Sequence, residues 1–164
     1  MPVSKPESTK TSKTLSDAGL RPTRQRKVVY DVICGEKDHP SAELVHERAK
    51  KQMAGISLAT VYNCLDSFVA CGLVRQLNFQ RQPSRYCAFT EDNPHFAHFH
   101  RRGTGDVYDV ILSDRILKLI EEELPEGLQA EQIEVTMAGT IDETAKISPH
   151  TPISKKDNYE SARN

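Results

Sequence analysis

Three helix-start signals constrain the first half of this 164-residue chain most strongly. Thr23, Ser41 and Ser57 each precede a run of apolar residues at helical spacing, and hydroxyl side chains at such positions cap helix N-termini. The apolar residues expected to face inward are Val28, Val29, Val32 and Ile33 in the first helix, Leu44, Val45, Ala49 and Met53 in the second, and Leu58, Val61, Leu65, Phe68 and Val69 in the third. Cys71-Gly72 ends the third helix, with glycine at the left-handed cap. The first half is therefore predicted to contain three packed helices.

Two extended runs follow the third helix. Leu73–Phe79 and Ser84–Phe89 are predicted strands, joined by a polar turn over residues 80–83. Three helices and a two-stranded wing make a winged helix-turn-helix. The third helix exposes polar groups that suit base-edge and phosphate contacts, although an ordinary solvated face has the same pattern. These residues are Thr60, Tyr62, Asn63, Asp66 and Ser67.

The second half is predicted to be a strand–helix–strand unit. Gly105–Ile111 and Gln132–Met137 are the strands, and a helix begins at Ser113 or Asp114. Its inward residues are expected to be Ile116, Leu117, Ile120 and Leu124. Such a unit is too small to cover its own sheet, which predicts a homodimer. The fold class is α+β: a winged helix-turn-helix over residues 14–89 and a small α/β dimerisation domain over residues 90–147. Residues 1–13 and 148–164 are polar and are predicted to be disordered tails.

The charge is distributed unevenly. Residues 1–83 carry 13 Lys and Arg against 8 Asp and Glu, whereas residues 84–164 carry 9 against 15. A basic first half favours a polyanion-binding module, with chance surface variation as the alternative. No apolar stretch reaches 18 residues and no secretion signal is visible, so we expect a cytoplasmic protein without a membrane partner.

A histidine run, His95-Phe96-Ala97-His98-Phe99-His100, precedes the second-half strands. Alternate residues of a strand share a face, so His98 and His100 can present two imidazoles to one ion, whereas His95 has the opposite parity. His95 can still reach such a site from an irregular strand end. Three histidines in six residues favour a metal site over isolated structural roles.

Three segments carry a family resemblance. Residues 19–26 (GLRPTRQR), 39–43 (HPSAE) and 56–63 (ISLATVYN), with Gly72–Arg75 following, resemble the ferric uptake regulator (Fur) family over residues 15–140. The resemblance implies a dimeric, metal-dependent repressor of an inverted-repeat operator in double-stranded DNA. It also implies DNA contacts at Arg21 in the minor groove, at Tyr62 against thymine methyl groups, and at Arg24, Ser57, Thr60 and Asn63 around them.

The resemblance also implies one regulatory divalent ion per protomer, Fe(II), Zn(II) or Mn(II). His39, Cys87, His98 and Asp109 match its ligand positions, with Cys87 standing where many members have a carboxylate. A gap-free alignment includes His98 alone of the histidine run, and a two-residue shift makes His98 and His100 the pair. A thiolate from Cys87 would favour Zn(II), while histidine and carboxylate ligands suit Fe(II) or Mn(II).

The chain departs from the family after the histidine run. Most members have Cys-x-x-Cys there, but this chain has Arg101-Arg102-Gly103-Thr104. A structural zinc held by four cysteines is therefore not expected. The alternatives are a haem- or peroxide-responsive regulator of the same family, or a zinc hydrolase, which would need a motif such as His-Glu-x-x-His that the chain lacks. We expect no enzyme activity.

Overall fold

The chain divides into two compact units, Met1–Phe89 and Thr90–Asn164. The structure, a computed structural model, describes residues 5–88, 96–148 and 152–154. We call the units the first and the second unit.

The first unit contains four helices: α1 (Lys5–Asp17), α2 (Arg24–Gly35), α3 (Ala42–Gln52) and α4 (Leu58–Ala70). The three predicted caps are confirmed, because the Thr23, Ser41 and Ser57 side chains accept hydrogen bonds from backbone amides in the first turns of α2, α3 and α4. Gly72, at φ +77°, takes the left-handed conformation predicted after α4. None of the described helices is long and apolar enough to cross a bilayer.

Helix α1 differs from the sequence prediction. Residues 1–13 were predicted to be a disordered tail, but Lys5–Asp17 is helical. Leu15 is fully buried, and the Thr11 hydroxyl donates a hydrogen bond to the Asp31 carboxylate of α2. Composition alone did not predict the helix because its apolar anchor, Leu15, lies beyond the polar stretch.

The core of the first unit lies where α2, α3 and α4 meet. Val29, Val45, Val61 and Phe68 are completely buried there, as the helical spacing predicts. The Phe68 ring meets the Tyr30 ring edge-on, with centroids 5.5 Å apart. This packing holds α4 against α2 and α3.

The predicted wing is a two-stranded antiparallel sheet. Its strands are β1 (Val74–Leu77) and β2 (Arg85–Ala88), in the register that places Arg75 opposite Cys87. Val74 and Tyr86, on one face of the wing, join the core of the first unit, and Leu77 on the other face is also buried. The turn between the strands is largely exposed. The first unit is therefore a winged helix.

The second unit is built on a four-stranded sheet of order β5-β3-β4-β6. The strands are β3 (Phe96–Arg101), β4 (Val107–Ile111), β5 (Glu134–Gly139) and β6 (Ile153–Ser154). β3 and β4 are antiparallel, whereas β5 runs parallel to β3 and β6 parallel to β4. β6 lies in the range predicted to be disordered, and residues 149–151 and 155–164 of that range lie outside the described part of the chain.

Helix α5 (Asp114–Glu122) also differs from the prediction. Of the residues expected to face inward, Ile116 is 43% exposed, whereas Leu117, Ile120 and Leu124 are half-buried. Leu119, which was not among them, is 45% exposed, and no residue of α5 is fully buried. The periodicity correctly predicts an amphipathic helix. It does not show what covers the apolar face.

The Phe68→Ala variant should lose about 3–5 kcal/mol of unfolding free energy, because the substitution leaves a cavity in the fully packed core. Val69→Ala changes the next residue of α4, which is half-buried, and should lose about 1 kcal/mol. Urea unfolding followed by circular dichroism measures both losses. Equal losses would contradict the described core.

Candidate metal centre and DNA-contact surface

His39 lies in the loop between α2 and α3 of the first unit. It is only 2% exposed and has a left-handed backbone, with φ 51°. Few residues other than glycine adopt this conformation, and such positions cluster at functional sites. The surrounding structure must therefore hold the loop in place.

Arg48 of α3 helps to hold the loop of His39 in place. Its guanidinium donates two hydrogen bonds to the Asp38 carboxylate, one of them 2.9 Å long, and lies 3.1 Å from Glu36. The hydrogen bonds to Asp38 raise the pKa of Arg48, although partial burial opposes the shift. A fork-to-carboxylate pair fixes orientation as well as distance. Arg48 thus anchors the residue immediately before His39.

The wing is joined to the same loop. The Tyr86 amide of β2 donates a 3.0 Å hydrogen bond to the Pro40 carbonyl, and Arg85 Nη1 lies 3.5 Å from the His39 carbonyl oxygen. These contacts bring Cys87 beside the loop. A ring nitrogen of His39 and Sγ of the half-buried Cys87 lie within 4.8 Å of each other. The first unit therefore contributes one imidazole and one thiol side by side.

The second unit holds another pair of possible ligands. His98 of β3 is directly opposite Asp109 of β4, and its Nε2 lies 3.4 Å from Asp109 Oδ1. The His98 side chain is fully buried, and the Asp109 side chain is 28% exposed. Cross-strand pairing places these two groups together without any help from a loop.

The other two histidines of the run have different positions. His100 is on the same face of β3 as His98 and is also buried, but its cross-strand partner is Val107 and not a carboxylate. His95 lies outside the described residues. Of the pair that strand parity favoured, His98 is the one placed opposite an acidic residue in the β3–β4 pairing.

The donor types suit a divalent transition metal. Imidazole nitrogen, thiolate sulfur and carboxylate oxygen are the groups that bind Zn²⁺ in proteins. Nitrogen and oxygen donors also accept Fe(II) and Mn(II), whereas a thiolate shifts the preference toward zinc. His39, Cys87, His98 and Asp109 each offer one such atom.

The predicted DNA-contact residues all belong to the first unit. Arg21 and Arg24 are exposed where α2 begins, Tyr62 and Asn63 are exposed on α4, and Thr60 is half-buried. Ser57 is exposed but is used as the cap of α4, where its oxygen accepts the Thr60 amide. Tyr62 and Asn63 therefore lie on the outer face of α4, the third helix of the winged helix-turn-helix.

Tyr62 makes a contact that sequence reasoning missed. Its hydroxyl donates a 2.8 Å hydrogen bond to Oε1 of Glu43, in the first turn of α3. This bond lowers the pKa of Glu43 and raises the pKa of Tyr62, because it stabilises the carboxylate and the protonated phenol.

Sequence reasoning also missed Arg48. The residues of the Arg48–Asp38 pair are 10 positions apart, and those of the Tyr62–Glu43 pair are 19 apart. Neither spacing follows a helix or strand period, so no local signal pointed to them. Both contacts arise from the way α3 packs.

Known proteins resemble most of this chain. A model of the ferric uptake regulator family matches residues 17–138. A ferric uptake regulation protein of Brucella abortus is 33% identical over 108 residues, which are 66% of this chain and 74% of that protein. A peroxide operon regulator of Bacillus subtilis is 33% identical over 82 residues, 50% of this chain and 57% of that protein.

Solved structures share the fold. The Vibrio cholerae ferric uptake regulator has a TM-score of 0.69 at 26% identity, covering 79% of this chain and 98% of the other. The Pseudomonas aeruginosa regulator, solved with manganese, has a TM-score of 0.68 at 26% identity, covering 81% and 98%. The chain therefore belongs to the ferric uptake regulator family, whose members are metal-responsive transcription regulators and not enzymes.

Proposed function

We propose that this protein is a metal-dependent repressor that binds an inverted-repeat operator in double-stranded DNA as a homodimer. One observation carries the proposal: each unit holds a preassembled pair of metal-binding groups. His39 and Cys87 form the pair of the first unit, and His98 and Asp109 form the pair of the second. Neither pair alone makes the four-ligand shell that a zinc site needs.

In this proposal both pairs bind the same divalent ion. When bound, the ion would connect the two pairs through coordination bonds. Arg48 fixes the loop that carries His39 by binding Asp38. The pairing of β4 with β3 fixes the position of Asp109. Because the ligands come from two units, binding selects one arrangement of the units from those available to the apo protein.

Of the three candidate metals, the ligand set favours Zn(II). Cys87 is the soft ligand of the set, and its thiolate discriminates against Mn(II) and Fe(II). A zinc-bound manganese uptake regulator is similar to this chain, with a TM-score of 0.61 at 28% identity.

DNA recognition is assigned to the exposed face of α4. The helix places Tyr62 and Asn63 outward near its N-terminus, and Arg21 and Arg24 flank the neighbouring start of α2. Arginines beside such a helix supply phosphate contacts, and the helix face supplies base contacts. Because the operator lies on chromosomal DNA, this function implies a cytoplasmic protein.

The second unit supports the homodimer. Helix α5 exposes Ile116 and Leu119, and among the described strands β5 pairs only with β3, so its other edge is open. An amphipathic helix and an open strand edge are surfaces that a second copy can cover.

Metal binding should be required for tight operator binding. His39→Ala and His98→Ala should each abolish the metal-dependent gain, because each removes one ligand from a different unit. His100→Ala should keep most of it, since His100 faces Val107. Calorimetry with Zn(II) and Mn(II), and fluorescence anisotropy on an operator selected from random duplexes, measure the two steps. An operator affinity that is the same with and without metal, and is unchanged by both substitutions, would contradict the proposal.

Cys87→Ser should weaken Zn(II) binding at least tenfold relative to Mn(II), because the soft ligand is lost. Cys71→Ser is the matched control, since Cys71 is half-buried like Cys87 and is not one of the four grouped donors. Competition with a chromogenic zinc chelator measures the affinities. An unchanged Zn(II) affinity in Cys87→Ser would remove the thiolate from the ligand set.

The relatives named as peroxide regulators make a peroxide-responsive function the second candidate. Exposing the Fe(II)-loaded protein to peroxide and repeating the operator titration separates the two. Loss of operator binding with Fe(II) and its retention with Zn(II) would favour peroxide sensing.

Ile116→Glu and Leu119→Glu should convert the dimer to monomer, because each places a charge on the apolar face of α5. Lys118→Glu introduces the same side chain at an exposed polar position of α5 and should leave the dimer intact. Sedimentation velocity at micromolar concentration measures the state. A wild type that is monomeric throughout would contradict the homodimer.

A further inference from the structure

We infer that Glu43 is a specificity-determining residue, which positions the Tyr62 ring to read thymine and keeps the Tyr62 hydroxyl from donating to the acceptors of other bases. The inference rests on the proposed function, since it concerns the same DNA-contact face. Glu43 itself was not among the residues that the sequence indicated for DNA binding.

The contact is well defined. The Tyr62 hydroxyl donates to Glu43 Oε1 at 2.8 Å, while the ring is 38% exposed on the outer face of α4. Hydrogen bonds to a charged acceptor are about twice as strong as neutral ones. The hydroxyl is therefore committed to Glu43, and the ring remains available to a ligand.

Glu43 is held in its charged form from the α3 side as well. It lies in the first turn of α3, where the helix dipole favours a negative charge. Besides Tyr62, its own backbone amide and the Ser41 hydroxyl stabilise the carboxylate and contribute to its lowered pKa. The acceptor for Tyr62 is thus fixed by its helix before any DNA arrives.

This arrangement has a consequence for base recognition. In the major groove, guanine and adenine present acceptors, and thymine presents an acceptor and a methyl group. A tyrosine whose only donor is occupied gains nothing from an acceptor. Its ring can still pack on the thymine methyl group, so Glu43 removes hydroxyl donation from the readout by Tyr62 and keeps the apolar contact. The phenol oxygen can still accept from an adenine or cytosine amine.

The charge of Glu43 indicates that the residue contributes to sequence specificity and not to general DNA affinity. A carboxylate beside a DNA-contact face repels phosphates and lowers affinity for every sequence. Its removal should therefore strengthen binding to random DNA. A residue that lowers general affinity while orienting a base-contacting ring acts on specificity.

The test replaces thymine by uracil, one position at a time, in the selected operator. For the metal-loaded wild type, uracil at the position facing Tyr62 should weaken binding about fourfold, the value of one buried methyl group. In Glu43→Ala this factor should fall toward one, because the ring is no longer held. In Glu43→Gln it should persist, because the amide oxygen still accepts the Tyr62 hydroxyl.

Glu47→Ala is the matched control. Glu47 is an exposed glutamate one turn further along α3, so its loss removes the same charge. All three variants should bind a random-sequence duplex more tightly than wild type, but only Glu43→Ala should lose discrimination between thymine and uracil. In the Tyr62→Phe background, Glu43→Ala should cause no further loss.

A wild-type discrimination factor in Glu43→Ala, or an equal loss in Glu47→Ala, would overturn the inference. A wild type that binds the operator but treats thymine and uracil alike at every position would overturn it too, and would leave the proposed function standing. A wild type that binds no operator with any metal would instead overturn the proposed function.

The contact can be checked without DNA. Tyr62→Phe removes the donor that stabilises the Glu43 carboxylate, so the pKa of Glu43 should rise toward its ordinary value. Carbon-13 NMR titration of the glutamate carboxyl groups measures the shift. An unchanged Glu43 titration would show that the hydrogen bond is not formed in solution and would overturn the inference.

Discussion

The hydrogen bond from the Tyr86 amide to the Pro40 carbonyl is the contact on which the first unit's ligand pair depends. It joins the wing to the loop before α3 and so brings Cys87 beside His39, although 48 positions separate them in the chain. Because donor and acceptor are both backbone groups, the hydrogen bond itself does not use the side chain of either residue. The loop and the wing therefore form one scaffold, and a metal ion meets two ligands already in place.

Arg48 and Glu43 show how α3 serves both halves of the proposed function. Arg48 holds the His39 loop through Asp38, and the hydrogen bonds to Asp38 raise the pKa of its guanidinium. Glu43, five residues before Arg48, holds Tyr62. One helix thus orients a candidate metal ligand and a candidate base contact. A displacement of α3 would be felt at both places, since packed helices move as units.

Local chemistry explains what could be predicted. The caps at Thr23, Ser41 and Ser57 and the buried stripes follow from residue type and spacing, and strand parity placed His98 on a face with His100. The family resemblance supplied His39, Cys87 and Asp109. Helix α1 escaped prediction because its anchors, Leu15 and the Thr11–Asp31 contact, depend on packing against α2. The Glu43–Tyr62 bond escaped for the same reason, since only the packed helices bring its partners together.

Helix α5 links the stability of the second unit to its assembly. At nine residues it is shorter than isolated helices that persist in water, and none of its residues is buried within the described chain. Its apolar face therefore has room for further burial. In the proposed dimer, a second copy supplies that burial, and helix order then depends on protein concentration. The sheet holding His98 and Asp109 is continuous in sequence with α5 through β4, so dimer formation should also steady the second pair of metal ligands.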